Sequence, residues 1–323
     1  MINVGRVNKN QPHLLADLVE LILLFEDRAH FSKSDVQSLL KTAIRDAEDV
    51  LNPDDADIDQ DDYDDELTEV EKEEIESNAV LECFAQFEFR SKELGAAYPF
   101  YVQRDLIKPK SRLRPIHKLY KFLLGCSRTR SFPSKNYRTK LTNHFEVISA
   151  QVVRLISSSF ANVRIFGVGS DDRKKYYGSN LRKALPRLSR DMGIQLNPGW
   201  RKHVKPQGDL GLDIIAFDGL GDNIESSLVL IAQCACSENA SDWSKKRAEA
   251  MIGNRRGTFS PLVDPIPVLI IAALYRTSEG AWVDTDPVSN VLTLDRLRII
   301  KILQRHEDLA LLAKPVHDLL SVA

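Results

Sequence analysis

The chain has 323 residues, with 44 Lys or Arg against 46 Asp or Glu, a formal net charge of −2 and four cysteines. That length has room for two domains and can bury a full core, and it holds no apolar run of about 18 residues, which excludes a membrane span. Four scattered cysteines exclude a disulfide framework, and no basic, apolar and small-residue signal opens the chain, so a cytoplasmic protein with no membrane partner is expected.

The near-neutral total conceals an asymmetry: residues 1–100 carry 9 basic and 25 acidic side chains, the remainder 35 and 21. A basic half has a long-range field that attracts phosphate backbones. Residues 13–30 are predicted helical, with Leu14, Leu18, Leu21, Ile22 and Phe25 on one face. Ser32 or Ser34 would cap a second helix running to Leu51, and Asn52-Pro53 ends it. Residues 54–76 are dominated by Asp and Glu, a composition that reads as a solvated loop leading into a helix over Glu66–Phe89; the sharper alternative is an imitation of DNA charge that covers the basic face.

From Tyr101 to Lys140 the balance reverses, with twelve Lys or Arg against one Asp. Residues 106–115 and 127–138 read as proline-punctuated loops around a helix over His117–Leu124, with Tyr120, Phe132 and Tyr137 available to stack on bases. Residues 141–160 form a strong amphipathic helix, and Glu146 sits in its second turn. Val163-Arg-Ile-Phe is a strand followed by Gly167-Val-Gly169, which lacks the third glycine of a dinucleotide site. Residues 179–192 form a helix interrupted at Pro186, basic through Arg182, Lys183, Arg187 and Arg190. The loop 197–208 adds Arg201, Lys202, His203 and Lys205; His203 is open to a proton-shuttle role or a phosphate contact.

The segment from Gly208 to Lys246 organises the rest. Leu212, Ile214 and Ala216 alternate with Gly211, Asp213 and Ile215 as in a strand, and Leu228–Ala232 fits a buried central strand, with turn residues Gly219–Asp222 between them. Asp213 on the first strand and Gln233 on the second would converge, and Asp209, four residues before Asp213, would share its face or else serve the turn. Cys234-Ala-Cys236 reads as two small buried residues, since a zinc site wants a second ligand pair and none follows. A helix opens at Ser241 or Asp242 and carries Lys245 and Lys246; Arg255 and Arg256 lie in a basic turn beyond it. A buried strand over 267–276 and a closing helix over 292–303 complete an α/β pattern.

Asp213 in a Gly-x-Asp-Ile-Ile setting, Gln233 on the next strand and Glu146 on an upstream helix resemble the core of the PD-(D/E)xK, or restriction-endonuclease-like, nucleases. The motif lysine is displaced: Ala235 stands where that family has Lys, and the helix that follows offers Lys246 first and Lys245 second. The resemblance covers about residues 141–305 and implies a mixed central sheet flanked by helices over 138–323, with an N-terminal helical region over 1–137. It implies Mg²⁺ or Mn²⁺ held by Asp213, Glu146 and Gln233, with Asp209 as a further candidate ligand, and catalysis by these residues with Lys246 or Lys245. Arg182, Arg201, Lys202, Lys205, Arg255 and Arg256 would meet the nucleic acid, DNA rather than RNA.

Hard carboxylates suit Mg²⁺, and a lysine near the metal would stabilise developing charge. The expected function is a Mg²⁺-dependent DNA endonuclease, and the resemblance suggests a restriction or anti-phage defence system with a helicase or ATPase partner. A homo-oligomer is also left open. The alternatives are a catalytically inactive nuclease-fold subunit that binds DNA or a partner, and an interaction protein whose charged halves mediate assembly. No Walker A, HExxH or Gly-x-Ser-x-Gly sequence occurs, which disfavours a P-loop ATPase, a zincin and an α/β-hydrolase.

Overall fold

A computed structural model describes residues 2–3, 11–26, 28–48, 68–222, 227–305, 316 and 320. Residues 54–67 of the acidic run lie outside the described residues, as does the expected end of the second helix at Leu51. Helix α1 (Pro12–Phe25) opens on a proline, whose missing N–H costs nothing at that position, and stops short of the predicted limit near residue 30. After β1 (Phe31–Ser32), helix α2 (Lys33–Glu48) is capped by Ser32. Its Oγ accepts from the Asp35 N–H at 3.2 Å, while Asp35 Oδ2 accepts from the Ser32 N–H at 2.8 Å. A second reciprocal cap, Thr68 with Glu71, starts α3 (Glu69–Leu94). The acidic residues from 69 to 76 thus form the first turns of a helix, where the macrodipole favours them.

The basic segment departs from its loop reading. Strands β2 (Phe100–Gln103) and β3 (Leu106–Pro109) pair antiparallel, and β1 joins β3, making a three-stranded sheet. Helices α4 (Pro115–Ser127) and α5 (Lys135–Ile156) follow. Tyr120, Phe132 and Tyr137 are buried in the core these helices make, so none of the three is free to stack on a base.

The central sheet comprises β4 (Asn162–Ile165), β6 (Ile214–Asp218), β7 (Leu228–Ala235), β9 (Ile266–Ile271) and β10 (Leu292–Leu294), in spatial order β10-β9-β7-β6-β4. Pairs β4·β6 and β6·β7 are antiparallel, and β7·β9 and β9·β10 parallel, so the sheet is mixed. Helix α6 (Leu181–Met192), with Asn180 as N-cap, and a two-stranded pair of β5 (Gln195–Leu196) and β8 (Phe259–Ser260) lie outside it. Helix α7 (Ala240–Ala250) is capped at Asn239, not at Ser241 or Asp242. The predicted closing helix over 292–303 divides: residues 292–294 are the edge strand β10, and α8 (Arg296–Gln304) begins after Asp295, whose carboxylate accepts the Arg298 N–H at 3.1 Å.

Alternation along the strands feeds separate packing layers. Ile214, Ala216, Leu230, Ala232 and Cys234 join the large core built with α1, α3, α4, α5 and α8. Ile215, Phe217, Val229 and Ile231 pack on the opposite face against Leu181, Leu185 and Leu188 of α6 and on Trp200. Ala235, Leu269 and Ile271 receive Trp243 of α7.

A buried ionic cluster ties the N-terminal helices to the sheet. Asp17 bridges Arg90 at 2.8 Å and Arg296 at 2.7 Å, and Glu20 bridges Arg90 at 2.9 Å and accepts from the Tyr98 hydroxyl at 2.6 Å. Arg296 Nε in turn donates to the Ala272 carbonyl at the end of β9, at 2.9 Å. Burial alone would raise the Asp17 carboxyl, but the charges of Arg296 and Arg90 outweigh it and hold the pKa at about 2. Arg296→Met leaves Asp17 with one cation fewer and is expected to cost about 3–5 kcal/mol in chemical denaturation. Because the folded pKa of Asp17 lies below its ordinary value of 3.8, its contribution is present above that value and is lost as pH falls toward 2. Arg296→Met should therefore flatten the acid limb of the stability curve.

Candidate active site

The site is built from one strand junction outward. Asp213 immediately precedes β6, and the register Ile214↔Ala232, carried one step further, sets it opposite Gln233 on β7. Opposed residues share a face, so the carboxylate and the amide project to the same side of the sheet. Asp213 Oδ2 accepts the Cys234 N–H at 2.9 Å, and its main-chain carbonyl accepts from Phe166 N at 2.7 Å just beyond β4.

Helix α7 supplies the amine. Trp243 is fully buried against Ala235, Leu269 and Ile271, and Lys246, three residues later, leaves the helix on the same side. Lys246 Nζ lies 3.3 Å from Asp213 Oδ2, 3.3 Å from Gln233 Oε1 and 3.1 Å from Glu249 Oε2. Lys245 is directed to solvent beside Asp242, 4.0 Å away, with 75% of its side chain exposed, and takes no part. Lys246 thus reaches the aspartate from the following helix, over a strand position that Ala235 keeps small enough for Trp243.

Gln233 is fully buried and engaged at both ends. Its Nε2 donates to the Gly211 carbonyl while its Oε1 accepts from Lys246. The amide bridges the Asp213 turn to the lysine, and in this arrangement its oxygen faces an ammonium, which is not the metal-ligand role expected of it. A glutamate here would have no donor for the Gly211 carbonyl.

Glu146 lies near the middle of α5, because that helix begins at Lys135 and not near residue 141. Its carboxylate rests against Gly167, where an added Cβ would lie 3.3 Å from Oε2. Burial, followed by the like charge of Asp213, pushes the Glu146 pKa up to about 7 against the opposing pull of Lys246. Burial also raises the Asp213 carboxyl above its usual range, in part offset by Lys246 and the Cys234 N–H. On Lys246, burial works to lower the pKa, and the charges of Asp213 and Glu249 outweigh it.

The remaining candidates separate. Asp209 does not share a strand face with Asp213, because a turn with two left-handed residues intervenes: Leu210 has φ 62° and Gly211 φ 64°. Its oxygens accept main-chain N–H groups, from Gly211 at 2.9 Å and Val168 at 3.3 Å, which is turn chemistry. Arg255 is 6% exposed and cannot be a surface phosphate contact; its Nε donates to the Leu210 carbonyl at 2.9 Å. Arg256 is exposed and forked onto Asp264 at 2.9 and 3.1 Å. Arg182 braces the 201–204 loop through the carbonyls of Val204 and Arg201, at 2.9 and 3.1 Å, while Arg201, Lys202, His203 and Lys205 are exposed. Cys234 is buried on the sheet face toward α5, and burial pushes its thiol up. Glu249 was not anticipated, although its spacing of three from Lys246 on one helix is the signal that could have found it.

Fold and site together define a mixed α/β chain with a carboxylate, amide and amine cluster where β6 begins and β7 ends. Compared with known proteins, the chain matches no family model, no curated protein and no solved structure, so a functional reading rests on these residues. Among the described residues no three His, Cys, Asp or Glu side chains form a metal-binding group. Two carboxylates in electrostatic contact, one forced toward its neutral form, do fit Mg²⁺, which binds proteins through one or two carboxylates and keeps several waters; they do not fit the four-ligand nitrogen and sulfur set of structural zinc.

The Glu146 pKa makes the site a pH-dependent liability. Its folded value of about 7 exceeds the ordinary 4.5, so stability from its protonation is present below 4.5 and is lost as pH rises through about 7. Glu146→Gln is expected to raise stability by about 1–2 kcal/mol at pH 8, after allowance for solvent screening, and to leave it unchanged at about pH 4. Thermal melts of both proteins at the two pH values check this.

Proposed function

We propose that the chain is a Mg²⁺-dependent nuclease that hydrolyses DNA phosphodiester bonds. The observation that carries the reading is the convergence of Lys246 on Asp213 and Gln233, with Glu146 in electrostatic contact with both the aspartate and the lysine. Asp213 and Glu146 would hold the cation. When bound, Mg²⁺ or Mn²⁺ would supply charge to the phosphate oxygens and a more acidic bound water. Lys246 contributes a fixed ammonium beside the reacting phosphate, where negative charge develops as water adds to phosphorus and a P–O bond breaks. Gln233 holds that ammonium in place through Oε1 while its other end fixes the turn that leads to Asp213.

The substrate side of the reading rests on charge. Residues 173–208, which pack on the same sheet face as Asp213, contain ten Lys or Arg against one acidic residue, Asp191. Of the ten only Arg173 is buried; the rest, with Arg201, Lys202 and Lys205 among them, are exposed. Such a surface suits a phosphate backbone without reading its sequence. No Walker A sequence occurs, so any ATP-driven step in a defence system would come from a partner chain.

Incubation of supercoiled plasmid with and without Mg²⁺ tests the proposal. Cleavage is expected only with the metal; Asp213→Ala and Lys246→Ala should each lower it by about 10²–10³-fold, while Lys245→Ala changes it little. Binding of DNA should weaken steeply with salt, and the joint removal of Arg201, Lys202 and Lys205 should reduce the log–log slope by about 3. Salt-dependent binding without cleavage would replace the nuclease by an inactive nucleic-acid-binding relative of it.

A further inference from the structure

The turn that delivers Asp213 is unusual in its backbone. Leu210 and Gly211 are consecutive left-handed residues, and for leucine that conformation is unfavourable because its Cβ crowds the following carbonyl. Such a turn persists only when its surroundings determine it more than once. Arg255 meets that need: its Nε donates to the Leu210 carbonyl at 2.9 Å and its Nη2 to the Gly211 carbonyl at 2.5 Å. Glycine suits 211, since φ is 64° and an added Cβ would stand 3.1 Å from Arg255 Nη2 and 3.2 Å from Glu249 Cδ, close enough that those side chains would have to shift. Arg255 belongs to the 3-10 turn Ile252–Arg255 directly after α7. One short segment therefore carries the ammonium, at Lys246, and the guanidinium that grips the backbone two and three residues before Asp213.

We infer that Arg255 is a positioning residue, which sets the distance between the Asp213 carboxylate and the Lys246 ammonium by holding the Leu210 and Gly211 carbonyls, and that it does not touch the substrate. The guanidinium is buried and flat, and its two donating nitrogens meet two successive carbonyls. A lysine in its place would offer one ammonium and could not span both carbonyls in that way. The kinetic arm of the test rests on the nuclease reading; the exchange arm does not.

Arg255→Met and Arg255→Lys are compared with the wild-type chain by hydrogen exchange and by plasmid cleavage. For Arg255→Met, exchange is expected to rise about tenfold or more at residues 209–214, with β7 and β9 unchanged. Cleavage should lose about tenfold or more in kcat at nearly constant KM for DNA, the pattern of lost transition-state geometry. Arg255→Lys should show the same local loosening to a smaller degree. A raised KM with exchange unchanged would make Arg255 a phosphate contact, and faster exchange throughout the chain in both variants would make it a general stability residue; either result, or no change at all, overturns the inference. Absence of cleavage by the wild-type chain would remove the nuclease reading alone, and the exchange arm would still decide whether Arg255 holds the turn.

Discussion

The pairing of β6 with β7 is the constraint on which the site depends. Asp213 and Gln233 share a face only because Ile214 stands opposite Ala232; a slip of one residue would send one of them to the layer beneath α5. Both faces of these strands are buried in different cores, so such a slip would also exchange Ile215 and Phe217 for Ile214 and Ala216 against α6. Hydrophobic packing far larger than any contact within the site therefore fixes where the acid and the amide meet.

The amine arrives by a different route. At position 235 a lysine would occupy the space taken by Trp243, and the alanine there is what lets α7 dock on β7 and β9. Docking by a fully buried tryptophan then orients the helix well enough for Lys246, one turn on, to reach back over the strand end. Glu249, a further three residues along, holds the amine from its other side. Residue identity at 235 and 243 is thus coupled through packing, and the charge at 246 is a consequence of it.

Much of this was legible in residue order. Strand alternation placed Asp213 beside Gln233; the sequence offered Lys246 before Lys245, and in the structure the burial of Trp243, three residues before Lys246, is what turns that lysine toward the site. Local signals were less decisive where two of them overlapped. Leu292-Thr-Leu was absorbed into the helix pattern after it, although Asp295 is a good cap and marks where that helix starts. Proline at 109 and 115 suggested loops, yet Pro109 ends the central strand β3, beyond the two residues that pair with β1, and Pro115 opens α4, where no N–H is needed. For Asp209 a shared strand face and turn chemistry both stood open, and the left-handed Leu210, about which spacing carries no information, decides for the turn. The burial of Tyr120, Phe132 and Tyr137 depended on contacts with helices distant in sequence, which no local window contains.

Charge balance gives the cluster its chemical direction. Four carboxylates, Glu146, Asp209, Asp213 and Glu249, act on one another or on three cations, Lys246, Arg173 and Arg255. Fully ionised, that set carries one negative charge in excess. The chain expresses the excess through Glu146, where burial and the charge of Asp213 outweigh the pull of Lys246 and the pKa rises to about 7. Neutralisation can come from a proton, which Glu146 takes up near neutral pH, or, on the proposed reading, from one divalent cation held by Glu146 and Asp213. On the proposed reading the two would compete for the same carboxylate, so occupancy by the metal would be linked to protonation of Glu146 and would weaken as pH falls below about 7.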